Sequence, residues 1–250
     1  MSLKHCLSCF FLRSRFNSIP VNILSLNILD DMPLAHPSKL ATSSKNVFGF
    51  DIGSTKLVVS FQKAGETRVQ DVMTWLGQDS SSHNNSGASV PSAIYLASKF
   101  PIDLQWGRKA EMEQKQKGFD RSRYFSSWKP GLEEGGPYHE KFREFADRFD
   151  LKVEGIAHEF MLMVLKYMFF DKGAFFRDMD IANTMLVIAK PPAWKQKSYK
   201  PLKDAALKLG FKPNNILFAS EPESALREVL IQKATEPLHL DSFKVCSIMH

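Results

Sequence analysis

A short apolar run, Val47-Phe48-Gly49-Phe50-Asp51-Ile52, carries one carboxylate next to its end and passes directly into Gly53-Ser54-Thr55. A second apolar run, Leu57–Phe61, follows at once. Two strand-like runs joined by a Gly-Ser-Thr turn predict a tight hairpin over Gly53–Lys56. An acid at the end of a buried strand is costly unless it binds something. Gly53 lets the backbone approach a ligand closely, and Ser54 and Thr55 add hydroxyl groups. Successive backbone N–H groups in such a turn form an anion cradle, while the Asp51 carboxylate can hold a metal through water. The pattern therefore suits β- and γ-phosphates with Mg²⁺. It also describes an ordinary hairpin in which Asp51 accepts local N–H bonds.

Downstream, the hydrophobic pattern predicts strands at Arg68–Leu76 and Ser92–Ala97, separated by the polar loop Gln78–Ser89. Arg108–Lys117 reads as a helix, and the Pro- and Gly-rich Ser126–His139 as loop. Ile156, Phe160, Met163, Val164, Tyr167 and Met168 recur at near-helical spacing in Val153–Phe170, where the methionines suit core packing. Thr184–Ala189 is a buried-type strand stopped by Pro191-Pro192. An amphipathic helix, Trp194–Leu209, follows and ends at Gly210. Asn215–Ala219 is a further strand, Glu221-Pro222 opens a helix to about Gln232, and Phe243–Cys246 begins one more strand. Strands and helices alternating in this order predict an α/β domain with a mixed sheet.

Composition narrows the function classes. The 250 residues carry a net charge of +6, with 44% hydrophobic and 24% charged residues, enough to bury a core. The basic excess is not clustered into the stripe that nucleic-acid binding requires. Three cysteines cannot build a disulfide framework, and the C-x-x-C pair Cys6/Cys9 supplies half of a zinc site at most. No apolar stretch reaches the length of a membrane helix. Nucleotide and metal-binding P-loop, dinucleotide, zincin and hydrolase signatures are absent. His139-Glu140 and His158-Glu159 lack a second ligand at metal spacing and read as surface pairs.

Residues 1–46 differ in kind from the rest. Lys4, Arg13, Arg15, Lys39 and Lys45 face only Asp30 and Asp31, and residues 1–29 contain no acid. Three readings fit: a disordered leader, a mitochondrial transit peptide, or translation starting at Met32. Without a transit peptide, the low cysteine content suits a cytoplasmic protein. Residues 47–250 would then form the folded body.

Further landmarks extend the first motif. Ala189-Lys190-Pro191-Pro192-Ala193-Trp194, Lys203-Asp204-Ala205-Ala206, Leu209-Gly210-Phe211 and Ile216–Leu226 with Ser220-Glu221-Pro222-Glu223 follow one another in order. With Asp51–Thr55 and Val90-Pro91-Ser92, this series resembles the nucleotide-binding domain of the heat-shock protein 70 family, in its divergent branch, over about residues 47–246. The resemblance implies one actin-like (ribonuclease-H-like) lobe with a mixed five-stranded sheet, ATP/ADP and Mg²⁺ as ligands, and an ATP-hydrolysing chaperone-like switch with client proteins as partners. It implies that Asp51 holds Mg²⁺ through water and that Gly53, Ser54 and Thr55 wrap the phosphates. Glu221 would position a water, and Lys129, in Tyr124–Lys129, matches the family's catalytic lysine with an offset of a residue.

Several departures qualify what the resemblance implies. Lys56 stands where the chaperones have an aromatic residue, and Asp-Ile-Gly-x-x-Lys resembles actin-like cell-division proteins and some sugar kinases, which puts Lys56 beside the phosphates. Tyr199 and Pro201 replace the polar helix of the interlobe switch. The second phosphate motif, expected after Asp241–Cys246, does not follow before His250. The chain as written is therefore expected to bind ATP weakly and not to hydrolyse it. A small-molecule kinase fragment and a non-enzymatic interaction fragment stay open as alternatives.

Overall fold

β1 (Val47–Ile52) is buried along its whole length and pairs antiparallel with β2 (Lys56–Gln62), Phe50 opposite Val59 and Ile52 opposite Leu57. The Gly53 N–H donates to the Lys56 carbonyl (2.8 Å) and closes the predicted hairpin. In the computed structural model of the chain, residues 44–66, 68–73, 75, 89–98, 103–171 and 176–221 are described. β2 pairs in turn with two short strands, β3 (Gln70–Asp71) and β4 (Ser89–Pro91). On its other edge β1 runs parallel to β8 (Met185–Lys190), which runs parallel to β9 (Ile216–Ser220). The sheet order is β3-β2-β1-β8-β9, with β4 joined to β2 off this path. The sheet is mixed and flanked by helices as the sequence predicts, but it holds six strands rather than five, because β3 and β4 both pair with β2.

Of the strand expected at Arg68–Leu76, the described residues form only Gln70–Asp71 as strand. Val72 and Trp75 are buried and Met73 is exposed, and the Val72 N–H still donates to the Val59 carbonyl of β2 (2.9 Å). The strand expected at Ser92–Ala97 is β5 (Ala93–Ser98), and it belongs to a second sheet, β6-β5-β7, with β6 (Asp103–Trp106) and β7 (Tyr124–Ser126). Pro91 and Ser92 mark the crossover between the sheets. α1 (Arg108–Glu113) is shorter than expected and gives way to turns before Gly118.

Two further helices lie where they were expected. α3 (Val153–Phe169) buries Ile156, Phe160, Val164 and Met168, and α4 (Gln196–Leu209) is capped by Gly210 at φ 109°. The left-handed C-cap explains why glycine ends this helix. The Ser126–His139 segment is not all loop: it holds a 3₁₀ turn, Lys129–Leu132, and leads into α2 (His139–Asp147). α2 buries Phe142, Phe145 and Ala146 on one stripe. That i, i+3, i+4 spacing is the signal that could have found it.

Alternation divides the sheet's contacts. Phe48, Phe50, Ile52, Leu186 and Ile188 enter the main core, shared with Ile94 and Leu96 of the second sheet and with Phe142, Phe160 and Met168 of the helices. Val47, Met185, Val187 and Ala189 form a smaller cluster. The methionines of α3 thus serve packing, as expected. Residues 1–43, the helix expected after Glu221 and the strand expected at Phe243–Cys246 lie outside the described residues.

Candidate functional site

The parallel arrangement of β1, β8 and β9 brings their carboxyl ends to one edge of the sheet. Gly53-Ser54 leaves β1, Pro191 and Trp194 follow β8, and Glu221, helical in conformation, follows β9. The crevice outside the carboxyl ends of parallel strands is where open α/β sheets bind ligands. Opposite this edge stands the 3₁₀ turn Lys129–Leu132. Together Gly53, Ser54, Lys129, Pro130, Glu133, Pro191, Trp194 and Glu221 line a cavity of about 160 Å³.

Lys129 reaches this cavity because of its neighbour. Trp128 is fully buried, its ring 4.6 Å from that of Phe160 on α3, which anchors the turn in the core. Lys129 itself is only 3% exposed. A buried ammonium requires a partner, and it has two. Its Nζ is paired with the Glu221 carboxylate, 92 residues away in sequence, and lies 5.6 Å from the centre of the Trp194 ring. Two residues far apart in the chain, both expected at one site, therefore meet.

Ser92 ties the turn after β1 to the turn that carries Lys129. Its N–H donates to the Thr55 carbonyl (2.8 Å), its hydroxyl to the Gly53 carbonyl (2.8 Å), and its own carbonyl accepts from the Ser127 N–H (3.2 Å). Ser127 holds a left-handed φ of 58°, a conformation that costs a non-glycine residue about 1–2 kcal/mol. Its position directly before Trp128 is consistent with strain held in place by surrounding contacts. On the far side, His139 of α2 donates through Nδ1 to the Gly131 carbonyl (2.8 Å). The surface reading of His139 is corrected: it is half-buried and pins the lysine turn. His158 is also half-buried, and burial, with Lys208 nearby, holds its imidazole below the ordinary range despite Glu159 and Asp204.

Asp51 is buried at the end of β1, two residues before the lining Gly53. Thr55 and Lys56 are exposed on the turn and are not among the residues that line the cavity. Sequence reasoning assigned no role to Ser92, Glu133, His139 or Trp194. Ser92 and Trp194 stood only as landmarks, and nothing in the local sequence marks Glu133.

A second cavity, about 230 Å³, lies behind the lysine turn, between α2 and the first turns of α3 and α4. Arg143, Lys152 and Lys197 there are matched by Glu134, Asp147 and Glu154, so its charge cancels. None of the sequence-predicted residues line it.

No family model matches this chain, and no curated protein matches it. Among solved structures it is similar to MreB 5 of Spiroplasma citri bound to AMPPNP, with 15% identity and a TM-score of 0.42. The match covers 71% of this chain and 39% of the MreB chain, so it spans well under half of that protein.

Proposed function

We propose that the cavity at the carboxyl ends of β1, β8 and β9 is one side of a nucleotide site and receives the polyphosphate end of ATP or ADP. The observation that carries this reading is the meeting of Lys129 and Glu221 beside Gly53 and Ser54. A buried cation at a glycine-containing turn is suited to phosphate oxygens, since the low local dielectric strengthens its attraction for them. The cavity of about 160 Å³ accommodates phosphate rather than a nucleoside, because drug-sized ligand pockets run to about 300–1,000 Å³.

Mg²⁺ suits the donor set. Among the described residues no three His, Cys, Asp or Glu side chains gather into a protein-only metal centre. Isolated carboxylates with retained waters are how Mg²⁺ is held beside phosphates. Asp51 would hold it through water, and when bound it supplies neutralising charge across the phosphate oxygens. Lys129 orients and neutralises the terminal phosphate. Glu221, released from part of its pairing as phosphate takes the ammonium, accepts a hydrogen bond from a water and aims it.

The finer reading is an ATP-dependent switch like that of the heat-shock protein 70 family. It is supported by the order of landmarks from Asp51 to Glu221 and by the encounter of the two residues assigned to hydrolysis. Titration with Mg·ATP followed by NMR tests the site. Shifts are expected at Gly53, Ser54, Ser92 and Trp194, with a dissociation constant on the order of 1 mM, about −4 kcal/mol. Asp51→Asn keeps the side-chain shape and removes the charge, and should weaken Mg²⁺-dependent binding about tenfold or more, ~1.4 kcal/mol. Silence of the Gly53–Thr55 signals at ~10 mM Mg·ATP, about ten times the expected constant, would refute the reading.

A further inference from the structure

Trp194 shares one feature with Trp128, a buried indole whose N–H finds no acceptor among the described residues. Trp194 is 4% exposed, yet among the described residues its Nε1–H has no hydrogen-bond partner. Burying a donor without an acceptor is unfavourable, and a phenylalanine or leucine would fill such a space without that cost. Trp128 carries the same unpaired N–H as a ring packed on Phe160, with no cation over it among the described residues, so what sets Trp194 apart is the cation on its ring. What the indole offers over other side chains is the strongest aromatic face for a cation. The cation is present: the Lys129 ammonium lies 5.6 Å from the centre of the ring and is paired on its other side with Glu221.

We infer that Trp194 is a positioning residue for Lys129, its indole face holding the buried ammonium against Glu221 and toward the Gly53-Ser54 turn. The inference deepens the nucleotide reading, on which it rests only for what the lysine serves. Tyr199 and Phe218 do not substitute for it: their rings pack on each other at a tilt of 36°, centres 4.3 Å apart, and the cation near Tyr199 is Lys190. Trp194 lies two residues before α4, so the segment that leads into that helix carries the face that meets a lysine borne by the 3₁₀ turn after β7. In this arrangement the ammonium is fixed before any anion arrives, which lowers the ordering cost of binding.

The test separates holding the lysine from filling the space. Trp194→Phe and Trp194→Leu are compared with the wild type in thermal midpoint, in the NMR position of the Lys129 ε-methylene protons, and in the amine-labelling rate of Lys129 mapped by peptide mass spectrometry. None of these needs a nucleotide. In the wild type the ε-methylene signal is expected upfield of the other lysines, under the indole ring current. Trp194→Phe should hold or raise the midpoint, since the orphaned donor is gone, while the Lys129 signal moves toward its ordinary position and labelling rises several-fold. Trp194→Leu should abolish the upfield shift and raise labelling further. An unshifted Lys129 signal in the wild type, or labelling that simply follows the midpoints of the two variants, would overturn the inference. If these effects appear and Mg·ATP still perturbs nothing at Gly53–Thr55, the nucleotide reading fails and the positioning role stands.

Discussion

Ser92 shows how much one small side chain can organise. It is 1% exposed, and its three hydrogen bonds reach Gly53, Thr55 and Ser127, joining the turn after β1 to the segment that leads to Lys129. Alanine would fit the space but leave the Gly53 carbonyl without its hydroxyl donor. Leaving a buried acceptor unsatisfied costs about 1–3 kcal/mol. Ser92→Ala should therefore lower the urea midpoint by a corresponding amount with an unchanged m-value, and should weaken the response of Gly53 to Mg·ATP. Equal stability of the variant and the parent in urea would show that the bond is incidental. The sequence marked this residue only through its neighbours: Val90-Pro91-Ser92 was a landmark of resemblance, and no local pattern says where a serine hydroxyl will point. The Asp51–Thr55 turn was legible because its chemistry is written in consecutive residues. The encounter of Lys129 with Trp194 was not, because it depends on two loops that only the folded sheet edge brings together.

At the scale of elements, the instructive miss is α2. Two prolines and three glycines between Ser126 and His139 read as loop, yet His139, the last residue of that stretch, is the first residue of the helix. The helix is only nine residues long and its mean hydropathy is low, so Phe142, Phe145 and Ala146 supply most of its apolar signal. Its function follows from what it touches. A Cβ built on Gly131 would lie 2.5 Å from the Cβ of Phe142 and 2.9 Å from its ring, so the lysine turn and α2 approach as closely as glycine permits. Phe142 is fully buried, between Phe125 and Trp128, and has little room to give. Gly131→Ala is thus an overpacking change, and such changes cost about 1–3 kcal/mol. It should lower the thermal midpoint and move the Lys129 ammonium away from Glu221. The loss of stability is measured by calorimetry, and the displacement by the NMR signals of the two side chains. An alanine variant with the parent's midpoint would mean that the contact is looser than the geometry states.

The two sheets are joined more by core than by backbone. Ser92 is the covalent crossover, but the larger union is a single cluster that includes Phe48 and Ile52 of the first sheet and Ile94, Leu96 and Trp106 of the second. α3 is the common floor: Phe160 lies 6.2 Å from the ring of Trp106 and 4.6 Å from that of Trp128. All four tryptophans of the chain, Trp75, Trp106, Trp128 and Trp194, are buried. Tryptophan emission therefore reports on both sheets and on the turn between them, whereas far-UV circular dichroism reports on the backbone. If the cluster makes the body one cooperative unit, the two signals should fall together in urea as a single transition. Phe160→Ala removes the ring that contacts both tryptophans, and large-to-small changes of this kind cost about 3–5 kcal/mol. The loss should appear equally in both signals, displacing one coincident transition to lower urea. Were the sheets independent, Phe160→Ala would instead separate the curves, with part of the emission lost before the dichroism. Two resolved transitions in the parent would already exclude a shared core, and the cavity at the sheet edge would then be set by the first sheet and its own loops, without help from the segment that presents Lys129.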